Sequence, residues 1–162
     1  MNYLCVGKIV NTHGIKGEVR ILSKFKFKKE VFKVGNKIYI GNDKKELNIN
    51  SYRVHKNFDM ITFKEFNNIN DVLIFKNNKV FIDRDSLIID DYLDEDLIGM
   101  DVFSNSKCIG KIKNIEYIKN NNLLIIESKN KTTYIPNNKD FIERVDLEKR
   151  RVYIKYIEGL IE

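Results

Sequence analysis

The feature that most constrains this chain is an alternation of period two that is repeatedly interrupted by turn residues. From Glu18 to Phe27, Val19, Ile21, Phe25 and Phe27 fall on one side, and Glu18, Arg20, Lys24 and Lys26 on the other. That is the pattern of a half-buried strand. A β-branched run, LCVGKIV, precedes it, and NKIYIG, ELNINSYRVH and FDMITFKEF follow, separated by GN, GND and KNFD turn signals. Short strands at this density predict a barrel or sandwich. The one persuasive helix of this half is NINDVLIFK, with Asn68 or Asn70 as its cap and Ile69, Val72, Leu73 and Phe75 as its buried face. NNKVFIDR reads as a returning strand, with Asn77 or Asn78 suited to a left-handed turn.

Between Asp83 and Asp96 the sequence becomes acidic and loses its period, which predicts a connector. Beyond it, LIGMDVF, CIGKIKNIEYI, NLLIIES, KTTYIPN, FIERVD and RRVYIKYI are again short strands broken by SNSK, KNNN, KNK and LEKR. No fixed-period repeat relates the halves, so they are two different units. The expected fold is mainly β: two small β-barrel domains joined by a linker, with a short helix in the first. The boundaries are 1–83, an acidic linker at 84–96, and 97–162.

At 162 residues and 43% hydrophobic, the chain can bury real cores. A net charge of +6 favours encounter with a polyanion such as nucleic acid. Cys5 and Cys108 are far apart in sequence and lack C-x-x-C spacing, so neither a disulfide framework nor a cysteine zinc site is expected. No apolar run approaches the roughly 18 residues of a membrane-spanning helix. A soluble, cytoplasmic protein without a metal or cofactor is the expectation.

Gly14-Ile15-Lys16-Gly17 has the G-x-x-G form with which some RNA modules clamp phosphates. Such a loop joins two helices, whereas both flanks here alternate as strands, so the glycines are expected to serve a chain reversal. His13 precedes them, beside Lys16 and Arg20. As a base it would need Cys5 as nucleophile and an orienting acid; packing is the commoner role for such a thiol. Arg20, Lys24, Lys26 and Lys28 alternate onto one strand face, a row able to neutralise phosphates or to defend a sheet edge. The acidic connector lacks calcium-loop spacing.

Gly7, Ile9, His13, Gly14, Ile15, Gly17, Glu18, Val19, Arg20 and Ile21 satisfy in register the signature G-x-(I/V)-x-x-x-H-G-(I/L)-x-G-E-V-(R/K)-(V/I). Together with DYLDEDLIGMDVF, IPNNKDFIERVDLEKRRVYI and the closing EGLIE, this run makes the whole chain resemble the bacterial ribosome maturation factors of the RimM family. The resemblance implies an amino-terminal six-stranded barrel, a linker and a carboxy-terminal PRC-type barrel. It implies a monomeric, non-enzymatic assembly factor without a cofactor, which docks on the head of the immature small (30S) ribosomal subunit. There it would touch small-subunit ribosomal protein nineteen and promote 16S rRNA maturation. His13, Gly14, Lys16, Gly17, Arg20, Lys24 and Lys26 would form the ribosome- or rRNA-binding surface. The family's aromatic pair for the ribosomal protein corresponds to Tyr92 and Leu93; Tyr92 keeps the pattern, whereas Leu93 is aliphatic and Asp94 stands where a further aromatic is usual. The family's Asn-Asp before a buried strand corresponds to Asn121-Asn122, and Ile135-Pro136 to an apolar-proline pair at a strand end. The rival readings are a general RNA-binding β-barrel module without a protein partner, and a small hydrolase using Cys5 and His13.

Overall fold

The structure is a computed structural model that describes residues 1–119 and 122–155. Asn121, the last two residues of the expected strand RRVYIKYI and the closing EGLIE segment therefore lie outside the described residues. The chain divides into two compact units, Met1–Ile88 and Ile89 onward.

In the first unit, β1 (Tyr3–His13), β2 (Glu18–Leu22), β3 (Lys37–Ile40), β4 (Lys45–His55), β5 (Phe58–Phe63) and β6 (Lys79–Asp83) close a barrel in the order β1-β2-β5-β4-β3-β6. The two eleven-residue strands make closure possible. β1 gives its first half to β6 and its second to β2, while β4 passes from β3 to β5. Register shifts at Cys5/Gly7, Ile9/Asn11 and Ile49/Ser51 add the local twist that such a change of partner needs. Gly7 sits at one of these corners, where an added Cβ would lie 2.9 Å from Ile21 Cγ2. Inward positions at every second residue, among them Val6, Val19, Ile21, Ile38, Leu47, Ile61 and Phe63, fill one core.

The expected strand from Glu18 to Phe27 ends at Leu22. Ser23 stops it: its buried hydroxyl donates to the Val6 carbonyl and accepts the Phe25 N–H at 3.1 Å, turning the chain into the single helical turn α1 (Lys28–Val31). Lys24, Lys26 and Lys28 therefore do not continue the outer face of Arg20. Lys24 and Lys26 are exposed on the connection, and Lys28 opens α1.

The second short helix, α2 (Ile69–Val72), starts as expected at Asn68, whose side chain accepts the Asn70 N–H at 2.8 Å. A 3₁₀ turn, Leu73–Phe75, continues it. Val72 and Phe75 are buried, but Leu73 is exposed because the tighter turn rotates it away from the core. Asn77 takes the left-handed conformation, with φ 70°.

The second unit is a six-stranded sheet in the order β10-β9-β8-β7-β12-β11. Its strands are β7 (Asp101–Ser104), β8 (Lys107–Glu116), β9 (Leu123–Ser128), β10 (Lys131–Pro136), β11 (Ile142–Asp146) and β12 (Arg151–Ile154). β7 and β12 pair in parallel, joining the ends of the chain segment into one sheet. Leu97, Met100, Val102, Ile112, Leu124, Ile126, Ile135 and Val152 form its core. At the β11–β12 hairpin, Asp146 accepts the Lys149 N–H at 3.0 Å.

Both ends of the acidic 84–96 segment are folded. Leu87 packs on the first core, and a 3₁₀ turn at Asp94–Leu97 buries Leu97 in the second. No helix among the described residues is long and apolar enough to cross a membrane.

Candidate nucleic-acid interface

The signature loop is a four-residue reversal between β1 and β2, closed by the His13–Glu18 pair. Gly14 and Gly17 take φ +69° and +88°. The two glycines differ in their surroundings: a Cβ on Gly14 would meet nothing within 4 Å, whereas on Gly17 it would lie 3.2 Å from the Asn68 amide nitrogen. Gly17 thus lets the loop rest on the start of α2, where the Ile69 N–H donates to the Ile15 carbonyl at 2.9 Å. Lys16 and the 76% exposed Ile15 project from this anchored turn.

A second chain reversal contributes to the same face. Met60 on β5 has Arg20 of β2 and Arg53 of β4 as its lateral partners. Its neighbours Asp59 and Ile61 point inward, so Met60 belongs to the outer surface, yet it is fully buried and lies outside the barrel core. Charged and aromatic side chains cover it. Arg20 donates from Nη2 to His13 Nδ1 at 2.8 Å and lies 5.7 Å from the centre of the Phe58 ring. Arg53 grips Glu18 through Nε and Nη2, at 2.9 and 2.7 Å. The His13 and His55 rings are 5.8 Å apart. Lys56, with φ 55°, occupies the two-residue turn between β4 and β5.

This arrangement determines what the face can offer. An arginine can only donate, so in this contact His13 Nδ1 accepts. Arg20 Nε is buried without a hydrogen-bond partner among the described residues, leaving donor capacity next to the cluster. His55 is held below its ordinary pKa, first by desolvation and then by the nearby Arg53, Lys56, His13 and Arg20. Glu18 is held below the usual carboxylate range chiefly by its hydrogen bond from Arg53. Arg20, Arg53 and Lys56, against the single carboxylate of Glu18, leave this face with a net positive charge that attracts anions.

Of the residues expected from sequence, His13, Gly14, Lys16, Gly17 and Arg20 are together here. Lys24 and Lys26 lie on the β2–α1 connection, where the Lys26 ammonium stands 5.3 Å from the Phe27 ring centre. Lys28 is drawn inward to Asp59, at 3.1 Å, and Asp59 also accepts the Tyr52 hydroxyl at 2.6 Å. Arg53, His55 and Lys56 were not expected as partners of the signature loop; a basic residue in a hairpin turn was the one available hint. Cys5 and His13 stand at opposite ends of β1, and the Cys5 thiol points to the Gly7 carbonyl at 3.6 Å, so the structure forms no such dyad.

In the second unit, Leu93 is 5% exposed, and its backbone N–H donates to Asp96 Oδ2 at 2.8 Å. Tyr92 is half-buried against the core of the second unit. The surface beside them carries Asp94, Glu95 and the exposed Tyr117, whose hydroxyl donates to Glu95 at 3.4 Å. The Tyr117 phenol is pushed up to about 12, first by partial burial and then by the charges of Glu95 and Asp94. Asn137 ties Asp94 to the end of β10 at 3.0 Å.

Comparison with known proteins covers both units. Residues 4–87 match the RimM N-terminal domain, and residues 94–160 match the RimM PRC barrel domain. The chain belongs to the RimM family. Among its RimM relatives, the ribosome maturation factor RimM of Ligilactobacillus salivarius is 42% identical, over 99% of each chain. That of Bacillus subtilis is 36% identical, over 97% of this chain and 95% of the relative. A RimM crystal structure from Pseudomonas aeruginosa aligns over 96% of this chain and 98% of its own, with 16% identity and a TM-score of 0.48. The RimM matches span both units, so the family assignment applies to the full two-unit architecture.

Proposed function

We propose that this chain is a non-enzymatic, monomeric, cytoplasmic assembly factor that binds the head of the immature small ribosomal subunit and promotes 16S rRNA maturation. The observation that carries this reading is the Arg20–His13–His55–Arg53 face on a barrel whose full-length relatives are ribosome maturation factors. Its role is to meet rRNA phosphates, with Lys16 and Lys56 on the adjoining turns. In the second unit, Tyr92, Tyr117, Asp94 and Glu95 form an acidic, aromatic surface that suits a basic protein such as small-subunit ribosomal protein nineteen. Leu93 supports that surface from within. Binding at both places would favour the correctly folded rRNA without chemistry, because a ligand shifts a population by its differential affinity for the competing states.

The test is co-sedimentation with immature small subunits. Tyr117→Ala should weaken association by about 1–3 kcal/mol, as for an aromatic contact at a protein interface. Parental pelleting would refute the assigned surface. Binding that collapses entirely between low and physiological salt would instead favour a general RNA-binding module.

A further inference from the structure

The second unit carries a groove of about 1340 Å³ that the family reading leaves unused. Two hairpins frame it. β7 and β8 are joined by Asn105 and Ser106, with φ 49° and 64°, the left-handed pair of a tight two-residue hairpin. β9 and β10 are joined by residues 129–130, with Ser128 facing Lys131. Because β8 runs antiparallel to both β7 and β9, the two turns fall at the same end of the sheet. Between them β8 bulges at Ile109, and Gly110 approaches β9 so closely that a Cβ there would lie 2.6 Å from the Glu127 carbonyl oxygen.

The lining has a pronounced charge bias, with five lysines against two carboxylates. Lys111 and Lys113 are taken up by Asp101 and Glu127, at 3.2 and 3.0 Å. Lys107, Lys129 and Lys131 have no ion pair among the described residues. An independent feature points to a ligand: Ser104 is 6% exposed, lines the groove, and its hydroxyl has no hydrogen-bond partner among the described residues. Buried hydroxyls are normally satisfied, so this one is suited to bond with a bound group.

We infer that this groove binds the phosphate backbone of RNA, as a second contact separate from the basic face of the first unit. The lining contains no aromatic side chain, which leaves nothing for bases to stack on. It offers compact ammonium charges on flexible stems and a hydroxyl donor, the groups that meet phosphate oxygens without reading sequence. The choice of RNA among polyanions rests on the proposed function; the charge and geometry of the groove do not.

The experiment measures binding of the full chain to a short, unstructured, fluorescently labelled RNA across a salt series. Lys107→Gln, Lys129→Gln and Lys131→Gln are combined in one variant. Its affinity should fall by about tenfold or more at low salt, and the slope of log K against log salt should flatten by about 2, since each phosphate contact to a single strand contributes about 0.7. Its melting temperature should match the parent, because the three side chains are exposed. Ser104→Ala should weaken binding several-fold without loss of thermal stability. Parental affinity and slope in the triple variant would overturn the inference, as would displacement of RNA by polyglutamate at equal charge. Subunit pelleting reports separately on the proposed function: its failure alongside a flattened RNA slope would leave the groove standing.

Discussion

Replacing Gly17 separates backbone strain from steric exclusion, because Gly14 in the same turn supplies the control. Both glycines have positive φ, and a non-glycine residue there costs about 1–2 kcal/mol. At Gly14 nothing is added to that cost. At Gly17 a Cβ would press on the Asn68 amide at 3.2 Å, and relief requires the turn to lift from α2. Lifting weakens the Ile69 to Ile15 hydrogen bond, whose loss is worth about 1 kcal/mol. Gly17→Ala should therefore destabilise the first unit by about 2–3 kcal/mol and Gly14→Ala by about 1–2, with Gly17→Val worse than either. For a unit of this size the Gly17→Ala loss corresponds to a fall in melting temperature on the order of 10–20 °C, against about 5–15 °C for Gly14→Ala. Thermal unfolding followed by circular dichroism, with chemical denaturation as a check, measures both. Equal losses at the two glycines would refute the argument that contact between the signature loop and α2 distinguishes them.

Three further outcomes follow from the same face and the core beneath it. Glu18 has a folded pKa below the ordinary carboxylate value of 4.5, chiefly through its hydrogen bond from Arg53, so its contribution is fully present above that value and is lost as pH falls through the lower folded one. The stability gap between parent and Glu18→Gln, measured by urea unfolding at a series of pH values, should close on acidification and stay open at neutral pH. His55 is likewise held below 6.5, so it disfavours the folded state progressively as pH falls through its unfolded value towards its folded one. Arg53→Gln should move its NMR titration midpoint upward, and an unmoved midpoint would remove Arg53 as a cause. Tyr52→Phe deletes the hydroxyl that donates to the 2% exposed Asp59 and should cost about 1.5–3 kcal/mol, the range for hydrogen bonds to charged groups. A urea midpoint equal to the parent's would contradict that assignment.

Much of this architecture was legible because its determinants are local. Val19 and Ile21 alternate with Glu18 and Arg20 in any strand, whatever the strand pairs with. Asn68 caps α2 through an amide two residues away, and Asn77 takes a left-handed conformation that few other residues tolerate. Lys24 and Lys26 misled because their alternation continues past Ser23, and the interruption comes from a hydrogen bond to Val6 on another strand. The period of a sequence carries no record of such a partner. Leu93 is similar: its place beside Tyr92 suggested surface, whereas the folded chain leaves it 5% exposed, a burial that the local sequence does not record.

By itself the sequence determined two β units, their turns, an excess of positive charge, and a signature reversal that had to contain glycine. The tertiary structure decided which charges act together. Arg53 and His55 meet Glu18 and His13 because β5 lies between β2 and β4 and carries Met60 outward, with the arginines converging above it. The parallel pairing of β7 with β12 and the groove between two lysine-bearing hairpins arose in the same way. Strand order in a closed or coiled sheet is set by long-range burial of apolar faces, which depends on the whole chain at once, whereas alternation and turn chemistry are settled within a few residues.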